Sequence, residues 1–509
     1  MSRKVGIAAL IWGGSLLLSR VIGIIREGVI GRILGGGADA DVYLAAFRIP
    51  DFLNYLLAGG ALSIIFIPIF AGHLARDEED KGWEAYSVIA NTVLLLLAVA
   101  LPLAWLATPW VVDNWLASGF AAEDRAHLSR LTRIVLPAQV FHLVGGLLSA
   151  ALQARDRHTL PALAPLLYTG SIIAGGLIGQ GPDGFVWGAV VGSILGPFGL
   201  PLIGNLRAGM RWQLILRFDH PDLRDWFFRS LPVMLAFSII IWDDWVLTAE
   251  GSQVGEGAVA TLTYAKTLMK VPMGVFGFAT GVAAFPTLSR MVGRGEKDAA
   301  YTVLASACKR MLVLAFGAQV VLTAAGAEVA EVIYGTKLMD GQHADIGIAL
   351  GLFGLGLWAW SAQSVLNRGF YALGQTWPPS LLGTVVFVAM LPVYHALRVH
   401  FGLFGLPVAT TLALSFYTIG LVVLLRRRFV GVPDGFGAFL ARMVVPVALG
   451  IASGLAIARW GGLPGALLRG TVAGGVGGIV YAASALIFGV PEVREVGAMV
   501  KRRLARGRS

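Results

Sequence analysis

Runs of about 20 apolar residues recur from one end of this chain to the other, and they bound what it can fold into. A helix rises 1.5 Å per residue, so each run covers a hydrocarbon core of about 30 Å. In lipid the backbone must satisfy its own hydrogen bonds, which leaves only helices and closed barrels. A membrane barrel needs segments of about ten alternating residues, whereas these runs are continuous. The chain therefore reads as an all-α polytopic membrane protein. Its charged fraction of 14% agrees, because a soluble domain carries roughly 25%.

Fourteen spans are expected, over residues 7–34, 42–73, 85–110, 128–154, 160–178, 185–206, 227–249, 259–288, 301–325, 346–373, 379–397, 403–425, 439–458 and 466–488. One set of connections carries Arg76 and Lys81, Arg155 and Arg157, Arg207, Arg211, Arg217 and Arg224, Arg290, Arg294 and Lys297, and Arg426, Arg427 and Arg428. The termini add Arg3, Lys4, Lys501, Arg502, Arg503, Arg506 and Arg508. The opposite connections, 35–41, 179–184 and 250–257, are glycine-rich or acidic. Lys and Arg accumulate on the cytoplasmic side of a membrane, so both termini are expected there, as an even span number requires. The same distribution explains the net charge of +10 without nucleic acid. The opening Ser2-Arg3-Lys4 mimics a secretory signal, but the apolar run continues into Arg20 and Arg26 with no small-residue cleavage site. It reads as a retained first helix. Cys308 is a lone cysteine in an apolar run and reads as a small buried residue.

An internal repeat is visible at an offset of about 218 residues. Gln153-Ala154 and Pro161-Ala162-Leu163 fall on Tyr371-Ala372 and Pro379-Ser380-Leu381, and Gly184 falls on Gly402. Spans two and eight share an early proline (Pro50, Pro272) and a late one (Pro68, Pro286). Six spans repeated as six in the same orientation give two parallel lobes, 1–220 and 221–430, an arrangement typical of secondary transporters. Spans thirteen and fourteen, within 431–490, lie outside the repeat as an added module, and a basic cytoplasmic tail follows at 491–509.

No Walker A loop, metal-ligand cluster or nucleophile elbow is present, so the sequence points to a transporter without a cofactor rather than to an enzyme. His142, His158 and His395 are isolated and read as packing or interfacial residues. The informative residues are charges inside spans, since each costs about 2.5–3.5 kcal/mol on insertion scales unless it faces a cavity or partner. The first hairpin holds Arg20, Arg26, Glu27, Arg32, Asp41, Arg48 and Asp51. Arg20 and Glu27 share a helix face, while Arg26 points elsewhere unless Gly23 bends the helix. Arg20 and Arg26 are the deeper pair, suited to gripping a phosphate or pyrophosphate in bidentate fashion. An internal ion pair, such as Arg26 with Glu27, is the other reading. Lys266 and Lys270 lie four apart on one face of span eight. Asp243 and Asp244 sit between Trp242 and Trp245 in span seven, about 100° apart around the helix. They are candidates for a proton or sodium coupling site; salt bridges to Lys266 or Lys270, or a place beside the tryptophans at the interface, are the alternatives. Lys309 and Arg310 read as cytoplasmic interface residues, and Asn367 and Arg368 either line the cavity or approach the cytoplasmic end.

Several motifs, in order and spread over nearly the whole chain, resemble the MurJ (MviN) lipid II flippases of the multidrug/oligosaccharidyl-lipid/polysaccharide exporter superfamily. They are Ser19-Arg20-Val21-Ile22-Gly23-Ile24-Ile25-Arg26-Glu27, Asp41 with Ala45-Ala46-Phe47-Arg48-Ile49-Pro50, and Gly60-Ala61 with Phe66-Ile67-Pro68. Leu160-Pro161-Ala162-Leu163-Ala164-Pro165, Tyr264-Ala265, Gly274-Val275-Phe276-Gly277, Pro286-Thr287-Leu288-Ser289-Arg290 and Arg368-Gly369-Phe370-Tyr371-Ala372-Leu373-Gly374 complete the set. The resemblance implies a bacterial inner-membrane flippase, moving lipid II from the inner to the outer leaflet by alternating access for cell wall synthesis. It implies that Arg20 and Arg26 grip the pyrophosphate, that Asp41 is the family's first-loop aspartate, and that the extra spans hold the lipid tail. Membrane potential or an ion gradient, Na+ or H+, would drive the cycle, and the cell wall synthesis machinery would be a partner.

The chain also departs from that family. Asn54 stands where an arginine is usual, Gly59 replaces the glutamate of a Glu-Gly-Ala motif, and Tyr264-Ala265-Lys266-Thr267-Leu268-Met269-Lys270 replaces a pattern with one arginine and two acids. Lys266 and Lys270 restore positive charge. Span eleven is apolar where the family is often polar, which speaks against a sodium site there. The other readings are a flippase for a different polyprenyl-pyrophosphate-linked glycan, a drug exporter, which the cationic cavity disfavours, and a non-transporting membrane scaffold.

Overall fold

The computed structural model describes residues 3–58, 61–236, 238–274, 279–375, 377–428 and 435–506. Gly59, Gly60, Val275, Phe276 and Gly277, singled out above, lie outside the described residues. The first helix, Arg3–Leu34, runs for 32 residues and packs along Thr159–Gly179. The second expected span is three helices, Ala38–Ala46, Arg48–Ala58 and Ala61–Leu74. Pro50 explains the first break: it has no N–H to give the Ala46 carbonyl. Thr132 Oγ1 donates to that carbonyl instead, at 3.3 Å.

Among the described residues, eight helical stretches are long and apolar enough to cross a membrane, and a ninth if Gln342–Gly354 and Leu357–Ala372, bent by 42°, count as one. The stretch Trp377–Arg426 has 50 residues, about twice the length a core requires. A tight turn, Gly402–Phe404, folds it into a hairpin. Gly402 has φ +56°, a left-handed conformation open to glycine, and a Cβ on Gly405 would meet the Leu397 carbonyl at 2.1 Å. Spans eleven and twelve are thus two helices, as their sequence boundaries suggested.

Packing divides the chain into two compact units. The first comprises Met1–Ala260 with Ile333–Leu338. One of its cores is aromatic: Phe66, Phe70, Trp83 and Tyr86 stack edge to face or tilted, with centroids 5.1–5.9 Å apart. The Arg155 guanidinium closes this core, 4.9 Å from the Trp83 ring and 5.5 Å from Phe70. A glycine contact joins Thr159–Gly179 to Pro182–Ser193, where a Cβ on Gly188 would lie 2.5 Å from the Ser171 carbonyl. Small residues let membrane helices approach this closely. The segment Ile333–Leu338 lies along the end of the first helix, and Lys337 Nζ donates to the Ile33 carbonyl at 3.2 Å.

The second unit comprises Thr261–Val332 and Met339–Ser509. Its spine is Lys297–Ala324, against which Phe436–Trp460 and Ala466–Ile487 both pack. Tyr481 Oη donates to the Val313 carbonyl at 2.7 Å, and Arg469 Nε to Glu328 at 2.8 Å. Cys308 is fully buried. The basic tail begins as a helix, Pro491–Arg506, whose Glu492 and Glu495 pair with Lys309 and Arg310 at 3.5 and 3.7 Å.

Candidate functional site

In the first unit the charge of Arg26 is compensated locally. Arg26 Nη2 lies 2.5 Å from Glu27 Oε1, and its Nε donates to the same oxygen at 3.2 Å. Glu27 is buried and Arg26 half-buried. Neighbouring residues on a helix point about 100° apart, and the long guanidinium arm crosses that gap, so Glu27 pairs with Arg26 rather than with Arg20 on its own face. Arg20 is exposed along the helix. An Arg–Glu pair of this kind still leaves guanidinium donors on its far edge for an incoming oxyanion.

Span two also meets span seven in this unit. Arg48 Nε donates to Thr248 Oγ1 at 2.8 Å, and Trp245 Nε1 donates to the Arg48 carbonyl at 3.1 Å. Phe52 packs against Trp242 and Trp245 with centroids 5.3 and 5.7 Å away. Asp243 is buried and Asp244 half-buried, consistent with adjacent positions facing different surroundings. Asn54, in place of the family's arginine, donates to Gln139 Oε1 at 2.8 Å. His142 is satisfied by Ser193 Oγ at 2.9 Å and lies edge-on to Tyr168, the packing role expected of it.

Asp41 lies in the first turn of Ala38–Ala46, just ahead of the expected start of span two, and is buried. Its two oxygens accept from the Gly257 and Ala260 N–H groups, at 2.7 and 2.6 Å, over the start of Ala258–Met273. In return Glu256 Oε1 accepts from the Ala38 N–H at 3.1 Å, at the start of Ala38–Ala46. Each acid thus caps the other helix's unsatisfied N–H groups. Burial pushes the Asp41 carboxyl up to about 7; the two N–H bonds oppose this, and Glu256 and Asp124 add repulsion.

The second unit carries its own cations. Lys266 is buried, with Nζ 5.6 Å from the centroid of the Trp360 ring. Lys270, one turn on, is half-buried. Arg368 is half-buried, and its Nη1 donates to the Ser364 carbonyl at 2.9 Å. Polar side chains pair between helices of this unit: Tyr417 Oη donates to Asn367 Oδ1 at 3.3 Å, Gln363 Nε2 to Thr418 Oγ1 at 3.3 Å, and Tyr394 Oη meets Thr410 at 3.2 Å, and of these residues sequence reading singled out Asn367 and missed the others. Single hydroxyls and amides inside apolar runs gave no periodic signal. The structure brings Arg26 to Glu27, and Arg48 to the segment that bears Asp243 and Asp244, within the first unit. Lys266, Lys270 and Arg368 belong to the second.

The fold is shared with solved membrane transporters of the MOP superfamily. A multidrug-resistance MATE transporter of that superfamily, in an inward-facing conformation, matches with a TM-score of 0.67 at 14% identity, covering 83% of this chain and 96% of its own. A lipid II flippase MurJ in an inward closed conformation matches with a TM-score of 0.77 at 19% identity, covering 94% of this chain and 98% of that one. A probable lipid II flippase MurJ of Rhizobium tropici is 29% identical over 385 residues, 72% of this chain and 70% of the relative. The family model for lipid II flippase MurJ matches residues 30–466. The chain belongs to the MurJ family of lipid II flippases; it is a transporter and not an enzyme.

Proposed function

We propose that this chain moves lipid II from the inner to the outer leaflet of a bacterial inner membrane by alternating access, supplying cell wall synthesis. Membership of the flippase family over residues 30–466 carries this reading. The cations in mid-span support it. Arg26 in the first unit and buried Lys266 in the second are costly in lipid and suited to a pyrophosphate. Arg20 and Asp41 in the first unit and Lys270 and Arg368 in the second are the further residues we assign to the headgroup.

In this reading the chain crosses the membrane fourteen times, as lobes 1–220 and 221–430, with 431–490 holding the polyprenyl tail. The basic connections face the cytoplasm together with both termini. Asp243 and Asp244 couple transport to H+ or Na+. Enzymes of wall synthesis are the expected partners. Asn54, held by Gln139, favours a second headgroup reading, another polyprenyl-pyrophosphate-linked glycan, because an amide replaces a cation there. Complementation of a bacterium depleted of its own lipid II flippase separates the two. Restored growth supports lipid II, whereas stable expression without growth favours the other glycan.

A further inference from the structure

A cavity of about 710 Å³ opens where Glu79–Val111 ends and Ala122–Val135 begins. Its walls include Trp105 and Ile134 and three guanidiniums, Arg125, Arg130 and Arg133, against one carboxylate, Asp113. Arg125 donates to Asp113 at 3.0 Å and to the Phe120 carbonyl at 2.7 Å. Arg130 pairs with Asp183 at 2.7 Å. Arg133 donates its Nε to the Trp105 carbonyl at 3.0 Å, and its guanidinium lies 4.1 Å from the centroid of the Trp105 ring. These contacts fix the plane of Arg133 while engaging only its Nε. Its two terminal amino groups form no hydrogen bond among the described residues. Asp113 and Asp183 pair with Arg125 and Arg130, and Arg133 has no carboxylate partner among the described residues.

The setting is a membrane interface. Trp105, Trp110 and Trp115 are 43%, 57% and 61% exposed, and exposed indoles collect at headgroup depth. The same helix also exposes Leu106, Leu103 and Val99, apolar side chains suited to facing lipid. A fixed guanidinium with a free edge fits a phosphate in bidentate fashion. The volume falls in the range of small-ligand sites, about 300–1,000 Å³.

We propose that this cavity binds the phosphate of an anionic phospholipid, with Arg133 as its principal donor and Arg125 and Arg130 as flanking cations. In the orientation proposed above the lipid belongs to the outer leaflet. Binding measured in detergent does not depend on that orientation or on flippase activity. Full-length protein is titrated by native mass spectrometry with phosphatidylglycerol, phosphatidylcholine and inorganic phosphate. Wild type is expected to prefer phosphatidylglycerol over phosphatidylcholine by about tenfold, and Arg133→Gln to abolish the preference. Arg130→Gln and Trp105→Ala, both at exposed positions, are expected to weaken it, and they keep the test open if Arg133→Gln does not fold. No preference in wild type, or full preference in folded Arg133→Gln, overturns the proposal. Inorganic phosphate that binds as tightly as phosphatidylglycerol and displaces it also overturns it, since the site would then take a free anion.

Discussion

Asp41 is buried with both oxygens engaged by main-chain N–H groups. Burial raises its carboxyl from 3.8 to about 7, against the opposing pull of those N–H bonds. The native protein therefore retains a proton that the unfolded chain releases between about pH 4 and 7, and stability falls as pH rises through that window. The Tm of purified protein should drop between pH 5 and 8, with Asp41→Asn showing a flatter profile. An equal slope in the variant would mean that another group titrates. Arg26 was legible in the sequence as a deep cation, and Glu27 was one of its foreseen partners. The bond from Asn54 to Gln139 was not legible, because 85 residues separate them and no periodicity links spans two and four.

Helices held by glycine contacts tolerate little added volume. Gly188→Leu would push a side chain into the Ser171 carbonyl, and overpacking of this kind costs about 1–3 kcal/mol. The expected result is a lower Tm in detergent, while Gly170→Leu, where nothing lies within 4 Å of an added Cβ, should leave the Tm close to wild type. Equal effects would remove the glycine contact as the cause. Element positions were readable from apolar run length and from prolines such as Pro50. The wide π turns at Val112–Leu116 and Ile194–Gly199 were not, since an extra residue per turn leaves the apolar run unchanged. Nor did the run 122–137 announce an arginine-lined cavity, because its charges look like ordinary interfacial residues until Trp105 is seen beneath Arg133.

The internal repeat and the packing divide the chain differently. The repeat puts the boundary near residue 220, whereas packing groups Pro221–Ala236 and Ser238–Ser252 with the first unit. A repeat records correspondence between segments and packing records contact, so the two boundaries need not coincide. Membrane orientation is testable across the whole chain. In a Cys308→Ala background, a membrane-impermeant maleimide applied to intact cells should label Gln180→Cys and not Arg211→Cys. The reverse pattern would invert the orientation. Flippase activity is testable with purified protein. Wild-type protein in liposomes should expose a fluorescent lipid II analogue to an external quencher faster than protein-free vesicles do, and Arg26→Ala should slow this by about tenfold or more. Wild-type protein that is folded and inserted, yet gives no faster exposure even under an imposed membrane potential, would contradict it.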